Sequence, residues 1–469
     1  MQLNGISALD LSRALAKRDI SAVDVMAATL ARIDAVNGGV NAIVSLKDRD
    51  TLMREAAQTD QTARRGWLHG IPIAIKDLAH AAGLPTSKGS LIFAGQMAQE
   101  DDLMVARIRA AGAIIIGKTN TPEFGLGSHT FNPVHGATRN PYNLSKSAGG
   151  SSGGAAVALA TGMVSVADGS DMMGSLRNPA GWNNVYGMRP TWGVVPAHPE
   201  GDGFFEQFAT EGPMARTPAD LSGLLDTMAG PDPRVPLPVR IAPTLPAIDA
   251  LPTAPRVGWL ADWGGAFPTE PEVLSLCEAA LAQMSEMGWM VETLAAPFSA
   301  DAMWTSWTDA RSFSIAMRRR PEYDDPRKRA QLKQSMLWEI ERGRQLSGQT
   351  IYDASATRSA WFRRAALLFE THDVLALPSA QLWPFDIDLE HPGEVAGVAM
   401  DTYHRWMQVV VPASLIGLPV VNVPIGFGRA GLPMGLQLIG KPGSDGHLLQ
   451  IAQKWHEATG WPQKTPAMM

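Results

Sequence analysis

The chain has 469 residues, 45% of them apolar and 18% charged, which is enough apolar material for an extensive buried core in a large α/β enzyme. A formal charge of −6 argues against nucleic acid or an acidic membrane as the main partner, since both call for a concentrated basic surface. No apolar run reaches the ~18 residues of a membrane-spanning helix, and the start, MQLNGISALDLSRAL, lacks a signal-peptide pattern, so cytoplasmic residence is the default expectation.

Residues 7–19 and 21–36 read as two amphipathic helices, with Ser7 and Ser21 at N-cap positions. Between Gly70 and Gly117, the apolar runs IPIAI and AIIIG flank a helical stretch from Asp102 to Ala111. Such alternation of strand and helix marks an α/β core. Ser152–Thr161 (SGGAAVALAT) reads as a closely packed helix ended by Gly162. Met163–Ala167 then reads as a short strand, and GSDMMGS (169–175) as a tight turn. From about 265 to 375 the pattern is mainly helical, and Cys277 falls there as a packing residue in EVLSLCEAALAQM. The final runs, PASLIGLPVVNVPIGF and GLPMGLQLIG, return to short strands.

Two motif matches point away from each other. Gly112–Thr119 (GAIIIGKT) fits the phosphate-loop expression GxxxxGK(S/T), but its Ala-Ile-Ile-Ile centre belongs in a buried strand and Asn120-Thr121-Pro122 opens no helix. Gly150–Gly154 (GSSGG) fits the nucleophile-elbow expression and nominates Ser152, with His404 and His447 as downstream partners. That elbow requires a strand immediately before it, and SKSAGG is polar and flexible. A stronger constellation pairs Ser151, before a helix start, with Ser175, after a strand and a turn. Lys76 ends the run Ile71–Ile75, where an isolated lysine is ordinarily a solvated strand end or pairs with its neighbour, here Asp77.

Four stretches together resemble the amidase signature family: GIPIAIKD (70–77), GKTNTPEFG (117–125), NPYNLSKSAGGSSGG (140–154) and GSDMMGSLRNPA (169–180). GPMARTPADL (212–221) and PASLIGLP…GLPMGLQLIG (412–440) are weaker echoes, and the likeness thins across about 235–400. The resemblance implies an α/β fold with a large mixed central sheet covered by helices on both faces. It implies one domain over 1–469, with a catalytic core segment at 66–225 and a mainly helical insert at 265–375.

It further implies a nucleophile at Ser175, a bridging serine at Ser151 after a cis peptide bond from Gly150, and a base at Lys76. Backbone N–H groups of Met172, Met173, Gly174 and Ser175 would hold the oxyanion, with Gly150, Ser152, Asp171 and Arg177 supporting the site. The implied activity is hydrolysis of a small carboxylic amide with neither metal nor organic cofactor, and a homodimer is the assembly considered.

The chemistry calls for these residue types. A serine hydroxyl attacks well only when a neighbour takes its proton, and lysine does so only when neutral. Burial beside Ile73 and Ile75, among hydroxyls and away from carboxylates, would lower its affinity for the proton. Strand alternation turns Asp77 to the opposite face. Met173 stands where the family commonly has glycine. The expectation is that it needs no positive φ, keeps its N–H available and walls the acyl pocket. Asp171 and Arg177 are expected to fix the loop by ion pairing, and Trp304, Trp307, Trp338, Trp361, Trp383 and Trp406 to pack in the core rather than line the pocket. The competing readings are a glutaminase like the ammonia-releasing component of an amidotransferase, a nucleotide-binding protein using Gly112–Thr119, and a catalytically dead binding module.

Overall fold

Short β-branched runs separated by Gly, Pro and helical segments assemble into two main sheets and two short two-stranded ribbons in the computed structural model, which describes residues 5–197, 202–205, 207–250 and 253–468. β1 (Ile43–Val44), β2 (Pro72–Lys76) and β3 (Ile114–Thr119) form a three-stranded sheet in the order β1-β3-β2. The larger sheet contains β4 (Val166–Asp171), β5 (Tyr186–Arg189), β6 (Thr210–Ala215), β7 (Arg256–Trp259), β8 (Met290–Thr293), β9 (Val374–Pro378), β10 (Val420–Phe427) and β11 (Pro433–Ile439). Its eight strands run in the order β8-β7-β9-β11-β10-β5-β6-β4. The β8-β7-β9 portion is parallel and the remainder antiparallel, so the sheet is mixed.

Every residue of β11 is buried, as is all of β10 except Phe427. Successive side chains alternate faces, so such strands must be covered on both. The expected α/β architecture is therefore the one observed, with β2 and β3 in a separate small sheet. β2 lies against the edge strand β4, where the Lys76 N–H donates to the Asp168 carboxylate at 3.0 Å.

The N-caps follow the sequence. Ser7 accepts from the Asp10 N–H to start Ala8–Lys17, and Ser21 forms a capping box with Asp24 at the head of Ala22–Val40. The second helix outruns its expected end at 36 because Val36 and Val40 are both buried on its inner face, and only Asn41 turns left-handed, with φ 53°. The strand expected at Met163–Ala167 is displaced to Val166–Asp171. Met163 still donates back to the preceding helix at Ala158, while the register from Val166↔Ala215 to Asp171↔Thr210 absorbs the first half of the expected turn. A non-local ladder here overrides the local pattern.

Gly112–Thr119 leads into β3, not into a helix, and the buried Lys118 ammonium donates to the Ala79 carbonyl. Within 265–375, β8 joins the edge of the large sheet, and the long helices Ala300–Arg318, Gln334–Arg344 and Gly348–Leu368 follow it. Trp304, Trp307, Trp361 and Trp406 are buried in the core, as is the Cys277 thiol. Among the described residues, no helix is long and apolar enough to cross a membrane.

Candidate active site

β2 ends at a buried lysine. Lys76 Nζ lies 2.8 Å from Ser151 Oγ, 2.9 Å from Ser152 Oγ and 3.0 Å from Ser170 Oγ, with the Ser170 carbonyl at 3.4 Å. A neutral amine has two N–H bonds and one lone pair, so it can donate to two of these hydroxyls and accept from the third. Asp77 faces elsewhere, its carboxylate accepting the Ser87 N–H at 3.1 Å, the Gly89 N–H at 3.4 Å and the Ser87 hydroxyl.

Ser151 and Ser152 precede the helix Gly153–Ala160, and the peptide bond from Gly150 to Ser151 is cis. A side chain at Gly150 would place its Cβ 3.0 Å from the Ser128 backbone, so the close approach requires glycine. Ser128 Oγ donates to the Gly150 carbonyl at 2.8 Å, and the Ser152 N–H to the Ser175 carbonyl at 3.3 Å, which ties the two serine-bearing loops together. Ser152 takes the part of a hydroxyl partner to Lys76 rather than of an elbow nucleophile; the buried His404 stacks on Tyr403 instead, with 4.5 Å between ring centroids.

The turn from Asp171 to Arg177 is held from within. The Asp171 carboxylate accepts the Gly174 N–H at 2.9 Å, the Leu176 N–H at 3.1 Å, and Arg177 Nε and Nη2 at 2.9 Å each. Arg177 also donates to Gln437 Oε1, Ser414 Oγ and the Val410 carbonyl. Burial raises the Asp171 carboxyl, but the charges of Arg177 and Arg189 overcome it and hold the group well below the usual carboxylate range. The positive φ of this turn falls on Gly174, at 82°, so Met173 is not forced into the left-handed region. Because Gly174 donates to Asp171, its N–H leaves the set of candidate oxyanion donors. Those of Met172, Met173 and Ser175 meet no protein acceptor among the described residues.

Ser151, Ser170, Met172, Met173 and Ser175 line one cleft of about 200 Å³. Its apolar walls are Leu78, Phe124, Leu126, Ile315, Met336 and Met407, and the six tryptophans singled out above are not among its lining residues. Arg311, Arg318, Arg319 and Glu211 add charge to the lining. Arg311 is anchored to Glu339 at 2.7 Å and to the Tyr403 hydroxyl at 2.8 Å.

Burial pushes the Lys76 ammonium down to about 8, against the opposing pull of Glu211, Asp168 and Asp171. Burial likewise raises the Glu211 carboxyl, against the pull of Lys76. The sequence reading missed Ser170 and Glu211 and placed no carboxylate near Lys76. Ser170 was within reach, because a strand continued through 169–171 turns its side chain to one definite face. Glu211 had no local signal, since only the pairing of β4 with β6 brings it to the site.

The chain belongs to the Amidase family, whose profile matches residues 24–449, and it is an amidohydrolase acting on C–N bonds of linear amides. It is 33% identical to an acylamidase of Rhodococcus erythropolis, over 99% of this chain and 98% of that one. It is 32% identical to a glutamyl-tRNA(Gln) amidotransferase component of a Picosynechococcus, over 98% of this chain and 99% of that one. The solved structure of a bacterial aryl acylamidase of the amidase signature enzymes superposes with a TM-score of 0.92 at 27% identity, over 99% of this chain and 98% of that one.

Proposed function

We propose that this amidohydrolase cleaves a small carboxylic amide through an acyl-enzyme on Ser175, with Ser151 as proton relay and Lys76 as base. The observation that carries this reading is the 2.8 Å contact between a buried amine and the Ser151 hydroxyl, in the cleft that Ser175 also lines. Ser175 Oγ attacks the carbonyl carbon as its proton passes to Ser151 Oγ and the Ser151 proton passes to Lys76 Nζ. The C–N bond then breaks, the same path returns a proton to the leaving amine, and water cleaves the ester. The free N–H groups of Met172, Met173 and Ser175 are the oxyanion donors of this proposal; one such donor contributes about 3–4 kcal/mol in the transition state.

The apolar walls suit an apolar group on the substrate, in keeping with the likeness to an aryl acylamidase. The test is hydrolysis of a panel of aryl and alkyl amides by wild type and Ser175→Ala, with mass spectrometry of the peptide labelled by a fluorophosphonate. Turnover by Ser175→Ala near the wild-type level refutes the reading. Full-length similarity to an amidotransferase component supports a second reading, a glutaminase serving a partner, and ammonia release from glutamine would favour it.

A further inference from the structure

Glu211 sits in β6, and the strand ladder fixes where its carboxyl can go. Antiparallel pairing sets Glu211 directly opposite Ser170 on β4. Opposed residues share a face of the sheet, with Cβ atoms about 5 Å apart. Since Ser170 Oγ is 3.0 Å from Lys76 Nζ, amine, hydroxyl and carboxyl form a short row across the strands. Both Ser170 and Glu211 line the cleft with Ser151 and Ser175, and the Glu211 carboxyl has no protein hydrogen-bond partner among the described residues.

Building on the reading of Lys76 as the base, we propose that Glu211 is a positioning residue whose carboxylate, set beside Ser170, acts through space on the Lys76 ammonium and so sets the pH at which the amine becomes free.

Burial disfavours charge on either group, and each is the foremost charge acting on the other. Asp168 and Asp171 also face Lys76, and Asp168 and Asp102 act on Glu211. Arg311, Arg318 and Arg319 line the cleft from the helix Ala300–Arg318 and its end. Of these, Arg311 is neutralised by Glu339 and Arg319 pairs with Glu322 at 3.2 Å. The carboxylate form of Glu211 holds the ammonium form of Lys76, so the last of the lysine protons leaves only at higher pH.

The experiment follows the rate of fluorophosphonate labelling of Ser175 against pH in the full-length enzyme, wild type beside Glu211→Gln. Removing the negative charge moves the midpoint of the rise about one pH unit lower and narrows it to a single-proton step. Glu211→Asp keeps a carboxylate and retains most of the wild-type midpoint, an outcome a merely structural role would not give. Should Glu211→Gln not fold, as judged by circular dichroism, Glu211→Ala must show the same acidward shift. Superposed profiles of wild type and the charge-removing variant overturn the role of Glu211 alone. A wild-type rate that does not rise with pH overturns the base reading of Lys76 as well.

Discussion

Replacing Arg177 with methionine removes the guanidinium that clamps the serine-bearing turn and leaves the Asp171 carboxylate buried. Both side chains of this pair are fully buried, and Arg177 contributes two of the contacts at 2.9 Å that Asp171 accepts. Breaking a buried pair by removing one partner costs about 3–5 kcal/mol. Arg189 Nη1 remains 3.3 Å from the same carboxylate, so the expected loss lies at the low end, about 3 kcal/mol. The bonds from Arg177 to Gln437, Ser414 and the Val410 carbonyl also go, which loosens the turn against β11.

The effect carries a pH signature. Asp171 is depressed in the native state, so its contribution is complete above its unfolded value of about 3.9 and is lost as pH falls toward the lowered native one. In Arg177→Met that depression is weaker, so the stability gap to wild type is full at pH 7 and narrows toward pH 2. Urea denaturation at pH 7 and pH 3 measures both quantities. Amide hydrolysis should lose kcat with little change in KM, because the cleft walls stay in place. The double variant Asp171→Asn/Arg177→Met should lose less than the sum of the single changes, since no unpaired charge remains. A variant within about 0.5 kcal/mol of wild type at pH 7, or a gap unchanged at pH 3, would refute the clamp.

Amide hydrolysis should rise with pH through a midpoint near 8 and level off about one to two units higher, since Lys76 is a base only when neutral and its value is lowered to about 8. At pH 7 about one-tenth of such amines are free, against roughly one in three thousand for an ordinary lysine; a rate falling from pH 7 to 9 in folded enzyme would count against the role. Lys76→Arg, charged at all these pH values, should retain less than about a hundredth of the activity. Gly174→Ala puts a Cβ at a φ of 82° and 2.9 Å from Val410 Cγ1, and should cost more than about 1 kcal/mol in stability; an unchanged Tm would show that the turn yields.

What the sequence disclosed followed from local chemistry. Ser7 and Ser21 announce helix starts because an N-cap acts within three residues. The strands ending at Lys76 and Thr119 are continuous apolar runs that no surface element would carry. Ser151, Ser175 and Lys76 could be named because their motifs are contiguous strings. What stayed hidden depends on pairing between distant segments. β4 runs past Ala167 because β6 offers it partners as far as Thr210, and that extension turns Ser170 toward Lys76. Gly174 was counted among the oxyanion donors because nothing in GSDMMGS says that the aspartate three residues earlier folds back onto its N–H.

Two lysines on neighbouring strands show why the residue type alone does not assign a role. The register pairs Lys76 with Thr119 and Ile75 with Lys118, so strand alternation sends the two lysines to opposite faces. Burial lowers the proton affinity of both. Lys118 meets the Ala79 carbonyl, which can only accept, and a single hydroxyl, that of Thr86, at 3.4 Å, with Asp77 as its foremost opposing charge. A carbonyl rewards the charged amine and offers a neutral one no proton to take. Lys76 meets three hydroxyls, each able to donate as well as accept, and two of them, those of Ser151 and Ser170, belong to serines at the cleft. The two amines therefore differ in the partners that the fold brings to each. For Lys76 those partners come from the loop after Gly150 and from β4, both outside the strand that carries the lysine.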